Sequence, residues 1–481
     1  MKVLMVSAEC HPFAKVGGLA DVVGALPKAL EKLNIQVEIL LPFYRKVQHG
    51  TWKFVSHPEV PFVKMETPFA GIYPVMRTTF PGTSIPVTFI GHPDYFDREG
   101  IYDNPATGEA YPDQALRWIF FSQAAVAYVK ALKHSPHILH LHDNHVGLVP
   151  AYLRNERLAI RTVFHIHNLA YQGNYDFKYF PYLRLPADWT RAAAPLEFWG
   201  YLNFMKCGIV FSDRVVTVSP TYAKEVTTDP EFGMGMEGVL GSRGAAFGGI
   251  INGIDTEEWN PAADPLLPFH YSAAEPANKA KVKDSLLEAF GLPKVSGDVP
   301  LLGMVTRLAD QKGLDLVAEA FPEMIKRGVQ MVILGTGQLK YHEIFTQFQK
   351  KYPHACGLKL AFDNRVAHLI EGGADLFLMP SHFEPCGLNQ MYSLRYGTVP
   401  LVRRTGGLAD TVEKVGPDGR TGTGFVFDGK SAQEMLGELK RALAFFKDRT
   451  VWKGIVRRGM EADFSWDASA KEYKDLYGAI L

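Results

Sequence analysis

Apolar residues fall into two alternating patterns along the chain. The run Val3-Leu4-Met5-Val6 is short and continuous, which predicts a buried strand over 2–7. Leu19, Val22, Val23, Leu26, Ala29 and Leu30 then recur at helical spacing and predict a helix over 18–33, with Pro27 a position for a kink. A second strand at 37–41 stops at Pro42. Residues 60–90 hold β-like runs broken by Pro and Gly, read as hairpins inserted in the sheet. A helix over 113–133, a strand at 137–142, a helix at 146–155 and strands at 162–167 and 215–218 follow. Residues 256–299, rich in Pro and Ala, read as a hinge and connector. Strands at 301–306, 331–335, 359–362, 376–379 and 399–402 then alternate with helical segments, and the tail 468–481 reads as an amphipathic helix without a strand. Repeated strand–helix units predict an α/β fold with two parallel, doubly wound sheets.

At 481 residues the chain exceeds one ordinary core. The patterns divide it into domains at 1–253 and 254–481, with 461–481 expected to cross back to the first. A hydrophobic share of 47% and a charged share of 21% fit a globular protein. Lys+Arg 51 balances Asp+Glu 51, so no global field favours nucleic acid or an anionic membrane. Cys10, Cys207, Cys356 and Cys386 are scattered without metal-ligand spacing and suit reduced thiols. No stretch approaches the roughly 20 apolar residues of a membrane span. The apolar start is too short for a signal peptide, and Glu9 follows at once. The expectation is a cytoplasmic enzyme or binding protein.

One phrase occurs twice. Lys15-Val16-Gly17-Gly18-Leu19-Ala20-Asp21-Val22-Val23 is echoed by Arg404-Thr405-Gly406-Gly407-Leu408-Ala409-Asp410-Thr411-Val412. Each copy follows a strand and opens a helix, where free backbone N–H groups and a nearby cation can hold an anion. Two such turns suggest two nucleotide-type domains facing one cleft. For the first copy two readings stand side by side: close approach of a phosphate with Lys15 adding charge, or a tight turn that needs positive φ.

Other strand ends carry chemistry. His140-Leu141-His142-Asp143-Asn144-His145 places three histidines beside an aspartate, yet without zinc-ligand spacing; Asp143 or Asn144 suits an N-cap, and substrate hydrogen bonding is the other use. His165-Ile166-His167-Asn168 is a second strand-end pair, open to a core role or to a sugar hydroxyl. Arg307 and Lys312 lie on one short loop after the first strand of the second half. At about 4 Å and an effective dielectric near ~20, each contributes roughly 4 kcal/mol toward a phosphate charge. Such a pair can stabilise a diphosphate leaving group without a metal. Glu384, in His382-Phe383-Glu384-Pro385-Cys386-Gly387-Leu388, is either a sugar ligand or a carboxylate at a helix N-terminus.

Over nearly its whole length the chain resembles bacterial glycogen synthases and the related plant starch synthases, most specifically at 15–27, 167–173, 252–255, 307–313, 383–388 and 404–411. The resemblance implies a two-Rossmann, B-type glycosyltransferase (GT-B) fold that needs no metal or other cofactor. It implies transfer of glucose from ADP-glucose to the non-reducing end of an α-1,4-glucan, with retention at the anomeric carbon by a front-face route assisted by the leaving phosphate. It assigns catalytic roles to Arg307 and Lys312 on the diphosphate, His167 by the reacting centre and Glu384 on the glucose hydroxyls. It assigns substrate contacts to Lys15 and the Gly17–Gly18 backbone, to Asp21, Asp143 and Asn252, to Phe362 against adenine, to the backbone of Cys386, Gly387 and Leu388, and to Thr405 and Gly406 beside the phosphates.

Four positions depart from the family pattern: Asn144 for Trp, His382 for Arg, Asn389 for Thr and Phe362 for Tyr. Two rival readings remain in view. One is a B-type transferase using UDP-glucose or a lipid or small acceptor; the other is a catalytically silent glucan-binding protein, which would be expected to have lost Lys15, Arg307, Lys312 or Glu384.

Overall fold

The protein is described by a computed structural model covering residues 1–294 and 299–481. Backbone contacts divide it into two units. The first comprises Met1–Val218, Ala223–Gly253 and Trp466–Leu481; the second comprises Ser219–Tyr222 and Ile254–Ser465.

In the first unit seven strands run parallel in the order Phe247–Gly249, Arg214–Thr217, Arg161–Ile166, Ile138–His142, Lys2–Val6, Gln36–Pro42 and Pro86–Ile90. The strand Gly71–Thr79 joins the edge antiparallel, with Val55–Ser56 and Phe62–Met65 against it, so the 60–90 region is a hairpin extension as its Pro- and Gly-broken pattern predicts. Counted in chain order, the parallel strands lie 3-2-1-4-5-6-7, the doubly wound order. The switch point falls between Lys2–Val6 and Ile138–His142, so the loops after Val6 and His142 open at one place.

The first helix, Gly18–Lys32, continues through Pro27 and buries Leu19, Val22, Val23, Leu26, Ala29 and Leu30. Against it packs the last helix, Trp466–Gly478, whose Trp466, Ala470, Tyr473 and Tyr477 share a core cluster with Val3, Val22 and Leu26. Each such large buried side chain contributes roughly 1.5–3 kcal/mol.

The second unit is a six-stranded parallel sheet: Cys356–Lys359, Gln330–Leu334, Leu301–Val305, Leu376–Met379, Val399–Arg403 and Phe425–Phe427. This is the order 3-2-1-4-5-6, with its switch point between Leu301–Val305 and Leu376–Met379. Two expectations shift here. The 359–362 strand is found one step earlier, at Cys356–Lys359, because its neighbour ends at Leu334 opposite Lys359 and leaves nothing to pair with Leu360–Phe362. The expected connector contains a helix, Lys279–Ala289, whose Val282, Leu286 and Leu287 are buried; its part at 295–298 lies outside the described residues. No helix among the described residues is long and apolar enough to cross a membrane.

Candidate active site

In the second unit a cavity of about 310 Å³ opens at the switch point, lined by Val305, Arg307, Lys312, Ser381, Glu384 and Asn389, with Gly387 and Leu388. This is where open α/β sheets bind ligands, beyond the carboxyl ends of the strands. Lys312 Nζ donates to Glu384 Oε2 at 2.6 Å, and Ser381 Oγ donates to the same oxygen at 3.0 Å. Glu384 is buried, and Lys312 reaches it from the loop that starts the helix Leu314–Lys326. Gln311 locks that loop to the Glu384 loop: its side chain donates to the Phe383 carbonyl at 3.1 Å, and its carbonyl accepts from the His382 amide at 2.8 Å. Arg307 is exposed, with its guanidinium 3.4 Å from Gln311 Oε1. The result is a buried carboxylate held by one cation, with a second cation at the rim. It can grip hydroxyls on one side and phosphate oxygens on the other.

The departures from the family pattern have structural jobs. Asn389 Nδ2 donates to the Val305 carbonyl at 2.7 Å and ties two cavity walls together. His382 Nε2 meets Asp315 at 2.8 Å, while Arg403 donates to the carbonyls of Ser381 and His382 and braces that loop from behind. Phe362 stands 92% exposed past the end of its strand and does not line the cavity. Cys386, Thr405 and Gly406 are buried and do not line the cavity, although the equally buried Ser381 and Glu384 do.

In the first unit, the loop after Val6 places Glu9 under the Lys15 turn. Glu9 accepts from the amides of Val16 and Gly17, the latter at 2.9 Å, and from Tyr102 Oη at 2.6 Å. Those two amides are therefore not free to hold an anion, contrary to the sequence expectation; those of Gly18 and Leu19 have no acceptor among the described residues. Burial pushes the Glu9 carboxyl up. Lys15 Nζ pairs with Asp21 at 2.6 Å at the surface. A glycine-requiring backbone is not the reason for Gly17–Gly18: Gly17 has φ −136°, and a Cβ on either residue would meet no atom within 4 Å.

Asp143 leaves its strand with φ +61°, an uncommon conformation for a non-glycine residue. It does not cap the following turn with its side chain. Its carboxylate accepts from the His167 amide at 2.8 Å instead, joining the ends of two neighbouring strands. Burial pushes its pKa up to about 7, with nearby Glu9 adding to the shift. His142 Nδ1 and His167 Nε2 share a 3.0 Å hydrogen bond. Burial lowers His167 to about 3, so both rings are neutral at ordinary pH. Asn144 Nδ2 donates to the Tyr171 carbonyl at 2.9 Å and pins the loop that follows His167. Asn252 is buried, and its Oδ1 has no partner among the described residues.

His140, His142 and His165 bring ligand-capable nitrogens within 4.8 Å of one another. The His140 ring stacks on His142 and on His165, the latter at 7° between planes, while His142 and His165 are tilted by 37°.

The structure brings the sequence candidates Lys312, Glu384, Arg307, Gly387 and Leu388 to one cavity, and sets the amide of His167 on the carboxylate of Asp143. Sequence reasoning passed over Glu9, Gln311 and Ser381. Glu9 and Ser381 sit just after sheet strands, so the strand-end rule that singled out Lys15 would have found them.

A family model described as the starch synthase catalytic domain matches residues 2–242, and one described as glycosyl transferases group 1 matches residues 289–454. A glycogen synthase of Anaeromyxobacter dehalogenans (strain 2CP-C) is 46% identical, covering 100% of both chains. One from Fervidobacterium nodosum is 42% identical over 99% of this chain and 98% of its own. Among solved structures, the catalytic domain of starch synthase IV from Arabidopsis thaliana, bound to ADP and acarbose, is 34% identical with a TM-score of 0.88 over 99% of each chain. Sucrose-phosphate synthase from Thermosynechococcus elongatus, at 17% identity and a TM-score of 0.59 over 99% of this chain and 98% of its own, shares the fold. Two doubly wound units, full-length likeness and the switch-point cavity lead to one conclusion: the chain is a glycosyltransferase of GT-B fold and belongs to the glycogen and starch synthase family.

Proposed function

We propose that this enzyme transfers glucose from ADP-glucose to the non-reducing end of an α-1,4-glucan, with retention and without a metal, in the cytoplasm. The observation that carries the reading is the Lys312–Glu384 pair in the switch-point cavity, with Arg307 at its rim. Arg307 and Lys312 take the charge that develops on the diphosphate as the glucosyl bond breaks. Glu384, already fixed by Lys312 and Ser381, accepts from glucose hydroxyls. The ADP bound to the related Arabidopsis starch synthase supports an adenine nucleotide, with Phe362 offered as the base platform. In the first unit, Lys15 with the Gly18 and Leu19 amides holds anionic oxygens, the Gly17 amide being taken by Glu9, Asp21 orients Lys15, and neutral His167 with Asp143 borders the transferred sugar. Asn252 presents its amide oxygen to the acceptor side. The four cysteines are buried free thiols, in keeping with a reducing compartment.

The front-face route, in which the departing phosphate takes the proton of the incoming hydroxyl, gives Arg307 and Lys312 a second task. They keep that phosphate in place until the acceptor arrives.

Nucleotide release measured with ADP-glucose and UDP-glucose, each with and without glycogen, tests the proposal. ADP release is expected to depend on glycogen and to exceed UDP release by about tenfold or more. Faster release from UDP-glucose would reassign the donor, and no glycogen-dependent release from either would overturn the transferase reading.

A further inference from the structure

Beyond the His167 loop the first unit turns aromatic side chains out into solvent. Tyr171 is 58% exposed, Trp199 79% and Tyr201 53%. Trp199 sits at the turn of a hairpin formed by Glu197–Phe198 and Tyr201–Asn203, and the latter strand pairs with Asn174–Tyr175. This small sheet is tied to the His167 loop. The amides of Phe204 and Met205 donate to the carbonyls of Gly173 and Gln172 at 3.1 and 3.0 Å. Gln172 Nε2 reaches the Met234 carbonyl at 3.1 Å, beside Gly235, which abuts the Trp199 indole nitrogen.

Local structure does not ask for tryptophan here. Trp199 and Gly200 have φ of 51° and 82°, the two left-handed central residues of a type I′ turn. Asn-Gly and Asp-Gly suit that turn, whereas a bulky side chain in the first position is strained. Packing does not ask for it either, since the side chain is mostly in water. Lys206, the nearby cation, is turned inward to the carbonyls of Ala194 and Glu197 at 2.9 and 2.6 Å. The charge left at the tip is acidic: the Glu197 carboxylate accepts from the Gly200 amide at 2.9 Å, so the aromatic surface suits the apolar face of a pyranose and disfavours an anionic partner.

We infer that Trp199, with Tyr201 and Tyr171, forms a platform that stacks against a long α-1,4-glucan chain and holds it on the first unit. The inference rests on the glucan-acceptor reading and names a contact for the chain outside the catalytic groups. The test is Trp199→Asn, which restores the residue the turn prefers, alongside Trp199→Tyr, which keeps an aromatic ring. Retardation in glycogen-containing native gels and KM for glycogen are read together with melting temperature. Trp199→Asn is expected to melt no lower than the parent, yet to bind glycogen about tenfold more weakly. Its KM for glycogen should rise by a similar factor without a shift in the KM for the nucleotide sugar, and Trp199→Tyr should recover most of the loss. Parental glycogen binding and KM in Trp199→Asn would overturn the platform while leaving the transferase reading intact. A parent protein that transfers no glucose and is not retarded by glycogen would overturn both.

Discussion

The two Gly-Gly-Leu-Ala-Asp turns are nearly the same phrase and do opposite things. At Gly17–Gly18 the side-chain space is open: a Cβ on either residue meets nothing within 4 Å. At Gly406–Gly407 it is full. Gly406 has φ +42°, a Cβ there would lie 2.0 Å from the Glu384 carbonyl oxygen, and one on Gly407 would lie 2.0 Å from that of Cys386. The Gly407 amide is also shared between the carbonyls of Glu384 and Pro385, each at 3.2 Å. The aspartates diverge in the same sense. Asp21 pairs with Lys15 at the surface, whereas Asp410 accepts from Ser219 Oγ, Thr221 Oγ1 and the Thr221 amide. Arg404, the counterpart of Lys15, pairs with Asp428 at 2.6 Å. Small residues in the first turn leave room for something outside the chain; in the second they let one loop press on the back of the Glu384 loop. A repeated motif is evidence of repeated geometry, and the atoms around it decide its use.

The largest effect that bears on this contrast belongs to the cations. Lys312→Ala removes the partner of a buried carboxylate and a donor to the leaving group, and turnover should fall about a thousandfold with the fold retained by circular dichroism. Lys15→Ala, which breaks only a surface pair, should cost less, on the order of tenfold to a hundredfold in kcat/KM. Near-parental turnover in Lys312→Ala would remove the catalytic assignment from this cavity.

Next come the glycines. Gly407→Ala cannot be accommodated without displacing the Cys386 carbonyl, and should destabilise the protein by about 3 kcal/mol in denaturant unfolding. Its activity should fall as well, because Glu384 rides on the displaced loop. Gly17→Ala should leave stability within about 0.5 kcal/mol while lowering kcat/KM roughly tenfold. Equal stability losses in the two variants would erase the distinction, and full activity in Gly17→Ala would deny the first turn a ligand.

The fold was legible because strand and helix alternate with different apolar periods, and the strand-end rule then pointed to Arg307, Lys312 and Glu384. The Lys279–Ala289 helix was hidden by its own chemistry. Lysines at 279, 281 and 283 mask the apolar positions, yet Lys279 is turned inward to the carbonyls of Gly372 and Tyr396 at 2.9 and 3.0 Å. The asymmetry of the two glycine turns could not be read either, since it depends on which loop lies over each. Glu9 could have been singled out by its place after the first strand, but only the folded loop shows that its carboxylate takes the amides the Lys15 turn was expected to offer.

The smallest effect separates the units by their histidines. In the second unit the deeply buried His368 faces Asp264 at 2.8 Å. In the first, His140, His142, His145, His165 and His167 are all pushed down by burial, to about 3 for His140, His145 and His167. Below about pH 6.5 an unfolded chain gains protons on these rings that the native one refuses, so their contribution is whole above that pH and erodes down to about 3. Asp143 works in the other direction: its native pKa of about 7 exceeds the usual 3.8, so stability gains as pH falls through 7 toward 3.8. His57 and His92, the latter pushed down to about 4, join these rings, while Glu9 and Glu472 are pushed up like Asp143; seven rings outweigh three carboxyls, and the first unit should be the acid-labile one. His165 is the cleanest probe, because among the described residues neither ring nitrogen has a hydrogen-bond partner and its ring contacts are His140, His142, His167 and Tyr473. Replacing it with Leu should reduce the loss of stability between pH 6.5 and 5 by about 1.4 kcal/mol per pH unit. An unchanged slope would mean that this ring finds a proton acceptor in the native state, and that the acid sensitivity does not come from the strands beneath the first turn.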